Sequence, residues 1–252
     1  MIGRILAIAL ATLCLFTIAA NAEWQRTVWL ADTLTPDQGK FQTELWGSYG
    51  KADNGDYTDM AFSPLLYYGV MDNLSVEGRV DYWGYDVDGG DSENGLGDMS
   101  LKARFRFLDE AKSAIDLAAF GYVWLPTGDD DKGLGTGTFE PGAGLSAAKT
   151  FGPVVAIAEV SCNAIIDSDE GEEDGQLYGG IEGAYILSDQ LNINVFIDRA
   201  TSRWKDTDDP SYAGFGARFL PQDQWELLAN WAYGLTDSAY DWTASMAVGY
   251  EF

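Results

Sequence analysis

Residues 242–252 read Trp-Thr-Ala-Ser-Met-Ala-Val-Gly-Tyr-Glu-Phe, and this stretch predicts the fold. Every second position, from Trp242 to Phe252, is apolar, while the positions between are small or polar. That period of two is typical of a β-strand whose two faces meet different surroundings. Its length is close to what one tilted strand needs to cross a bilayer.

The same alternation recurs upstream. From Met99 to Phe107, apolar residues alternate with Ser100, Lys102, Arg104 and Arg106. Further segments of about ten residues repeat this pattern along the chain. The predicted strands are 39–49, 58–68, 74–85, 98–107, 114–125, 139–150, 154–165, 176–186, 191–199, 211–220, 225–233 and 242–252.

The connections between these segments alternate in length. Short turns such as Gly152-Pro153 follow every second strand, whereas the other connections are longer and acidic. Short turns at one end and long loops at the other are typical of an outer-membrane barrel. The sequence therefore predicts an all-β protein, a transmembrane antiparallel up-and-down β-barrel of about 12 strands. The long connections are 50–57, 86–97, 126–138, 166–175, 200–210 and 234–241.

The N-terminal residues have a different character. Arg4, an apolar run and Ala20-Asn21-Ala22 predict a cleaved secretory signal peptide over residues 1–22. We assign residues 23–38 to a periplasmic lead segment, with a partial plug in the barrel mouth as the alternative. Residues 39–252 form the predicted barrel, and the resulting location is the bacterial outer membrane.

Charge and composition exclude several functions. The chain has 40 Asp+Glu against 15 Lys+Arg and no histidine. A nucleic-acid partner is excluded because phosphate binding needs a basic face. Without histidine, the usual Ser-His-Asp and Cys-His catalytic sites and His-based zinc sites cannot form. We expect no enzymatic activity, no cofactor and no dedicated metal site.

Charged residues occupy the predicted lumen face of several strands. Neighbouring rows of opposite sign can pair across strands, and opposed charged rings tune selectivity in channels. A charged constriction in an open lumen and a salt-bridge network in a closed lumen both remain open. Small residues such as Gly142, Gly144, Gly214 and Gly216 would thin the wall. The candidate lumen residues are Glu77, Arg79, Asp81, Lys102, Arg104, Arg106, Asp116, Glu159, Glu182, Asp198 and Arg218.

The last strand also carries a targeting feature. Tyr250 and the terminal Phe252 end an alternating apolar strand, which resembles the insertion signal of bacterial outer-membrane proteins. The expected partners are the barrel-insertion machinery, outer-membrane lipid and lipopolysaccharide.

Several segments resemble one family of outer-membrane barrels, labelled "putative MetA-pathway of phenol degradation". They are Gly95 to Phe107, Leu125-Pro126-Thr127-Gly128-Asp129, Leu134-Gly135-Thr136-Gly137, Tyr185-Ile186-Leu187-Ser188 and Gly234 to Asp241. The resemblance covers most of the chain in order. It implies a bacterial outer-membrane barrel that passes aromatic or other small molecules.

These observations lead to one functional hypothesis and one alternative. The hypothesis is a porin-like channel for passive passage of small solutes, including aromatic or hydrophobic compounds, with a preference for cations because the mouth is acidic. The alternative is a non-conducting barrel that anchors acidic surface loops, with a structural role or binding of lipopolysaccharide and divalent cations. The acidic run 167–174 is where Ca²⁺ would bind, although it lacks the ligand pattern of an EF-hand.

Overall fold

The computed structural model describes residues 26–52 and 57–252, and the predicted signal peptide lies outside them. Antiparallel strands form a closed barrel in which each strand pairs with its sequence neighbours, and the last strand pairs with the first. The predicted fold is confirmed. The strands are β1 Phe41–Ala52, β2 Tyr57–Met71, β3 Leu74–Val87, β4 Ser92–Leu108, β5 Asp116–Leu125, β6 Glu140–Phe151, β7 Val154–Ala164, β8 Gly175–Ser188, β9 Leu191–Ala200, β10 Ser211–Gln222, β11 Trp225–Gly234 and β12 Trp242–Glu251.

The closing seam joins the two ends of the barrel domain. Ten residues of β1 pair with β12, from Gln42 opposite Glu251 to Lys51 opposite Trp242. Closure leaves no sheet edge with unpaired backbone groups, which is the condition for strands to stand in hydrocarbon. One turn of 3-10 helix, Asp130–Lys132, lies in the connection between β5 and β6. Among the residues that the structure describes, no helix has the length and apolar character needed to cross a bilayer.

The outer surface of the barrel is apolar. Met246 and Val195 have 70% and 65% of their surface exposed, and large apolar side chains are exposed on every strand except β5. An apolar belt of this extent suits contact with lipid, not water. Together with the closed strand topology, it makes the molecule an outer-membrane β-barrel.

Aromatic rings mark both borders of this belt. At the short-turn end, Phe41 packs on Tyr68, and Tyr250 packs between Trp225 and Phe252. At the long-loop end, the rings of Trp231 and Trp242 stack with their centroids 4.5 Å apart. Amphipathic rings are favoured at headgroup level, so the two groups bound the region of the wall that lies in hydrocarbon.

Two of the predicted long loops are shorter than the sequence indicated. Residues 86–97 were expected to form a connection, yet β3 continues to Val87 and β4 begins at Ser92. Likewise β1 continues to Ala52, inside the predicted loop 50–57. The prediction was wrong here because it recognised a strand only where one face of the segment was apolar. Strands that rise beyond the hydrocarbon keep their ladder hydrogen bonds without one, as Asp86 does opposite Ser92.

Candidate functional site

The N-terminal segment lies inside the barrel. Residues 26–35 were predicted to belong to a periplasmic lead, with a partial plug as the alternative, and their contacts with the barrel wall favour the plug. The Thr35 hydroxyl donates to the carbonyl oxygen of Asp72 in a short turn, and Arg26 contacts Asp116 at the start of β5. Between these points the chain turns at Trp29, which reaches Asp198 near the long-loop end of β9. The segment, hereafter the plug, therefore enters and leaves on the short-turn side. Its backbone has hydrogen-bond partners on the barrel wall in place of water, which is why the segment can occupy the lumen.

One lumen carboxylate holds the tip of the plug. Glu182 is fully buried on β8, and its two oxygens accept hydrogen bonds from the backbone N–H groups of Val28, Trp29 and Leu30 at 2.7, 3.2 and 3.0 Å. Asn194 donates a fourth hydrogen bond to the same carboxylate at 2.6 Å. A charged acceptor that satisfies several donors at once is a strong anchor.

Other lumen side chains bind the plug at single points. Glu159 accepts the Ala31 N–H at 2.7 Å, and Asn230 donates to the Val28 carbonyl at 3.0 Å. Arg104 donates to the Leu34 carbonyl at 2.9 Å. Because these contacts come from β4, β7 and β11, the plug is tied to opposite walls of the barrel.

An ion pair closes the base of the plug. The Arg26 guanidinium contacts Asp32 at 2.8 Å and Asp116 at 3.2 Å. The backbone N–H of Arg26 also donates to Asp32. This arrangement joins the two arms of the plug and attaches both to β5.

Aromatic stacking fixes the tip. The Trp29 ring lies on Phe196 with centroids 4.6 Å apart and planes 7° apart, and Tyr212 lies at 6.1 Å. The Trp29 indole Nε1–H donates to Asp198 at 3.1 Å. Val28 and Leu30 are buried, whereas Trp29 stays partly exposed. Trp29 thus presents an accessible face at the end of the plug.

The remaining charged residues of the predicted lumen set pair locally. Lys102 lies 3.5 Å from Glu77 across β3 and β4, and Arg79 lies 2.7 Å from Asp81. Arg218 contacts Glu226 at 2.6 Å. Each charge therefore has an opposite charge within reach, as the sequence pattern of adjacent rows indicated.

The predicted opposition of a basic ladder and acidic residues takes a different form. In the charged constriction that the sequence left open, Lys102, Arg104 and Arg106 would face carboxylates such as Glu159 across the lumen. Instead, Arg106 donates to the Asp72 carbonyl at 3.2 Å and Arg104 to the plug. Glu159 also binds the plug, although it stays within electrostatic reach of Lys102 and Arg104. The spacing of residues along the strands could not indicate these contacts, because it does not show whether another segment of the chain enters the lumen.

The inward glycines do not leave open space. A Cβ on Gly142 would lie 2.3 Å from the Tyr122 ring, and one on Gly144 would lie 2.3 Å from Phe120. On β10, a Cβ on Gly214 would lie 2.4 Å from Phe196. The expectation of a thin wall is corrected: these glycines make room for neighbouring aromatic rings.

Lumen aromatics are the site residues that sequence reasoning missed. Trp124 packs beneath the Arg79 guanidinium at 5.7 Å, and Phe120 beneath Lys102 at 5.9 Å. At the long-loop mouth, the Tyr57 ring stacks between Tyr85 and Tyr240. The sequence could have identified these aromatic residues, because they occupy the same alternating positions of the strands as the inward-facing charged residues. The wall beside the plug therefore combines aromatic faces with charged groups.

The long loops are tied together by Arg203, which lies between β9 and β10. Its guanidinium contacts Glu140 and Glu172, both at 2.6 Å, and donates to Thr138 at 3.0 Å. Burial of the Glu172 carboxyl favours its neutral form, but the hydrogen bond and charge of Arg203 and the backbone N–H of Asp169 together outweigh this and lower its pKa below the usual 4.5. The contacts connect three loops into one layer over the mouth.

We expect loop 165–174 to lose protection in acid. A carboxyl with a lowered folded-state pKa stabilises the fold above its unfolded pKa, and this contribution disappears as the pH falls through the folded value. Amide hydrogen exchange, corrected for its intrinsic pH dependence, should therefore accelerate in this loop below pH 4.5. Arg203→Met should produce the acceleration already at pH 7. Lys132→Met, which removes the exposed pair with Asp129, is the matched control and should leave the loop unchanged.

The acidic loops carry no clustered metal ligands in the part of the chain that the structure describes. Within residues 26–52 and 57–252, no group of three or more His, Cys, Asp or Glu side chains is arranged to hold a metal ion. In the acidic run, Ser168 and Asp174 hydrogen-bond to each other at 3.1 Å. The cluster with defined geometry in this region is the one around Arg203.

Comparison with solved structures supports the fold. An outer membrane channel from Pseudomonas putida F1 superposes with a TM-score of 0.74 at 15% identity, covering 90% of this chain and all of the other. KdgM porin gives 0.57 at 8% identity, covering 84% of this chain and 99% of the other. The β domain of the Bordetella autotransporter BrkA gives 0.51 at 14% identity, with coverages of 86% and 100%.

A comparison with protein families identifies the chain more closely. The family described as "Putative MetA-pathway of phenol degradation" matches residues 34–252. The match takes in every strand of the barrel and begins inside the plug. The predicted resemblance is confirmed, and the chain belongs to this family of outer-membrane β-barrels.

Proposed function

We propose that this barrel is a channel for passive passage of small solutes, with aromatic compounds among them and with a preference for cations. The observation that supports this is the charged wall beside the plug. The Arg79 and Lys102 side chains point into the lumen, yet 35% and 26% of their surface stays exposed. A lumen filled completely by protein would bury these groups.

The dimensions suit small molecules. A barrel of 12 strands spaced ~4.8 Å apart and tilted ~40° has a backbone diameter of roughly 24 Å. Lumen side chains reduce the free width to about 10 Å or less, and the plug reduces it further. A solute of one or two rings is the size that such a passage would admit.

The chemistry of the wall favours aromatic solutes and cations. Arg79 over Trp124 and Lys102 over Phe120 offer flat ring faces along the passage. The formal net charge of −25, with carboxylates such as Asp59 and Asp81 in the lumen, gives a negative field that attracts cations. The MetA-pathway label of the family points to the same class of solutes. In this proposal the protein transports and performs no catalysis.

Planar-bilayer recording tests the proposal. Purified protein in a salt gradient should give stepwise openings, and the reversal potential should shift toward the equilibrium potential of the cation. Asp81→Asn should reduce the cation preference, because it removes a lumen carboxylate beside Arg79. Asp189→Asn, in the turn between β8 and β9, is the control and should leave selectivity unchanged. Anion-selective openings would contradict the cation preference.

The hydrogen bonds that hold the plug in the lumen support a second role. The plug contacts at Glu182, Glu159 and Asn230 favour a closed barrel, and the Arg203 contacts order the acidic loops. The alternative function is therefore a non-conducting anchor for those loops, with lipopolysaccharide and divalent cations as partners. A folded protein that never conducts, even without its plug, would favour it.

A further inference from the structure

The environment of Trp29 has the form of a ligand site that the chain itself occupies. One face of the indole stacks on the Phe196 ring, with the planes 7° apart, and the indole Nε1–H donates to Asp198 at 3.1 Å. Tyr212 borders the site at 6.1 Å. An aromatic face and a carboxylate acceptor at the ring edge together recognise a flat ring that carries a hydrogen-bond donor.

The barrel wall is shaped for this site. A Cβ on Gly214 would lie 2.4 Å from Phe196, and a Cβ on Gly180 would lie 2.7 Å from Leu30, so glycine lets both groups sit against the wall. Asp198 is 8% exposed and belongs to β9, while Phe196 lies two residues before it on the same face. Both partners of the indole therefore stand on rigid strand backbone and keep their positions if the ring leaves.

The position of the site allows access from the long-loop side. Asp198 pairs in register with Gly180 and Tyr212, which lie toward the long loops of β8 and β10. Trp29 is partly exposed, whereas its neighbours Val28 and Leu30 are buried. A solute that comes through the outer mouth would thus meet the Trp29 ring before the rest of the plug.

We infer that Phe196 and Asp198 form a binding subsite for donor-bearing aromatic solutes, of the indole or phenol class, and that Trp29 occupies it as a built-in competitor. This rests on the proposed passage of aromatic solutes and names their chemical class. The Trp29 backbone is held independently by Glu182. A solute can therefore replace the ring without first removing the plug. Because its backbone is anchored beside the site, the Trp29 ring has an effective concentration at least on the order of millimolar, and a free ring must reach a similar concentration to compete.

Binding of small probes to a vacated site tests the inference. Trp29→Ala removes the ring and leaves the backbone hydrogen bonds to Glu182. We expect 5-fluoroindole, followed by ¹⁹F NMR in detergent, to bind this variant about tenfold more tightly than the wild type, because the competing ring is gone. The 1-methyl derivative has no N–H donor, and it should bind about fivefold more weakly, which is the effect of one lost hydrogen bond.

Two control variants distinguish binding at the subsite from an effect of losing any tryptophan. Trp231→Ala removes a tryptophan from the outer face, where it stacks on Trp242, and should bind the probe as the wild type does. Trp29→Leu keeps an apolar side chain at the tip and should bind less than Trp29→Ala. A gel shift between unheated and boiled samples shows that each variant is folded.

Each outcome bears on a different claim. Equal binding by Trp29→Ala and Trp231→Ala, or no binding by either, would overturn the subsite. Equal affinity for the two probes would overturn the role of Asp198. Since binding is measured in detergent, it does not depend on conduction. A variant that binds indole but never conducts would refute the proposed passage and leave the subsite intact.

Discussion

Removal of residues 23–35 should raise the single-channel conductance of the barrel by about tenfold or more, because a passage of about 10 Å loses its obstruction. The described part of this segment, from Arg26 onward, crosses the lumen and contacts β4, β5, β7, β8, β9 and β11. None of these contacts is needed to close the β1–β12 seam, whose pairing begins at Gln42. The barrel should therefore fold without the plug.

A reversible lock gives the matched control for the deletion. In a Leu30→Cys/Gly180→Cys variant, the two cysteines should be close enough for a disulfide, since a Cβ on Gly180 lies 2.7 Å from the Leu30 side chain. Cys162 is replaced by alanine in this variant, because it is a free and exposed cysteine. The oxidised protein should stay at low conductance, and reduction should restore the wild-type behaviour. If the deletion variant conducted no better than the oxidised lock, the plug would not limit passage.

Glu182→Gln should release the plug more strongly than any other single change of a lumen carboxylate. The carboxylate accepts four hydrogen bonds, three of them from consecutive backbone N–H groups. An amide offers one oxygen and loses the charge. With hydrogen bonds to charged groups contributing about 1.5–3 kcal/mol each, the loss is on the order of 3–5 kcal/mol. That corresponds to a shift of roughly 10²–10³-fold or more toward the undocked plug.

The comparison with Glu159 makes this prediction specific. Glu159→Gln changes a carboxylate that accepts one plug hydrogen bond, from the Ala31 N–H, and the amide oxygen can still accept it. We expect less than about fivefold change there, which is the effect of one neutral hydrogen bond. Hydrogen exchange at Val28 to Ala31 and the open probability in bilayers should both rank the variants in this order. Equal effects of the two substitutions would show that charge in the lumen, not the anchoring of the plug tip, controls docking.

If both predictions hold, docking of the plug and passage of solutes depend on the same lumen groups. Glu182 holds the backbone of the plug, whereas Phe196 and Asp198 hold only its Trp29 ring. The plug can therefore lose its ring contact without losing its backbone anchor. Partial displacement of this kind would link solute binding to the width of the passage.

The sequence by itself determined the barrel. The alternation in residues 242–252 and in Met99 to Phe107 assigned each side chain to lipid or lumen, because successive residues of a strand point to opposite faces. Short turns such as Gly152-Pro153 then set the up-and-down order. The pairing of Glu77 with Lys102 also follows from this local geometry, since adjacent rows on adjacent strands must meet.

Only the tertiary structure decided what fills the lumen. Residues 26–35 have no strand or helix period, so their place depends on partners more than a hundred residues away, such as Glu182 and Glu159. Alternation assigns those carboxylates to the lumen face but does not tell which group they bind. The alternating pattern also did not predict how far β3 and β4 extend past the membrane, because strands outside the hydrocarbon need no apolar face. Periodicity reports the surroundings of each residue, whereas contacts between distant residues arise when the barrel closes.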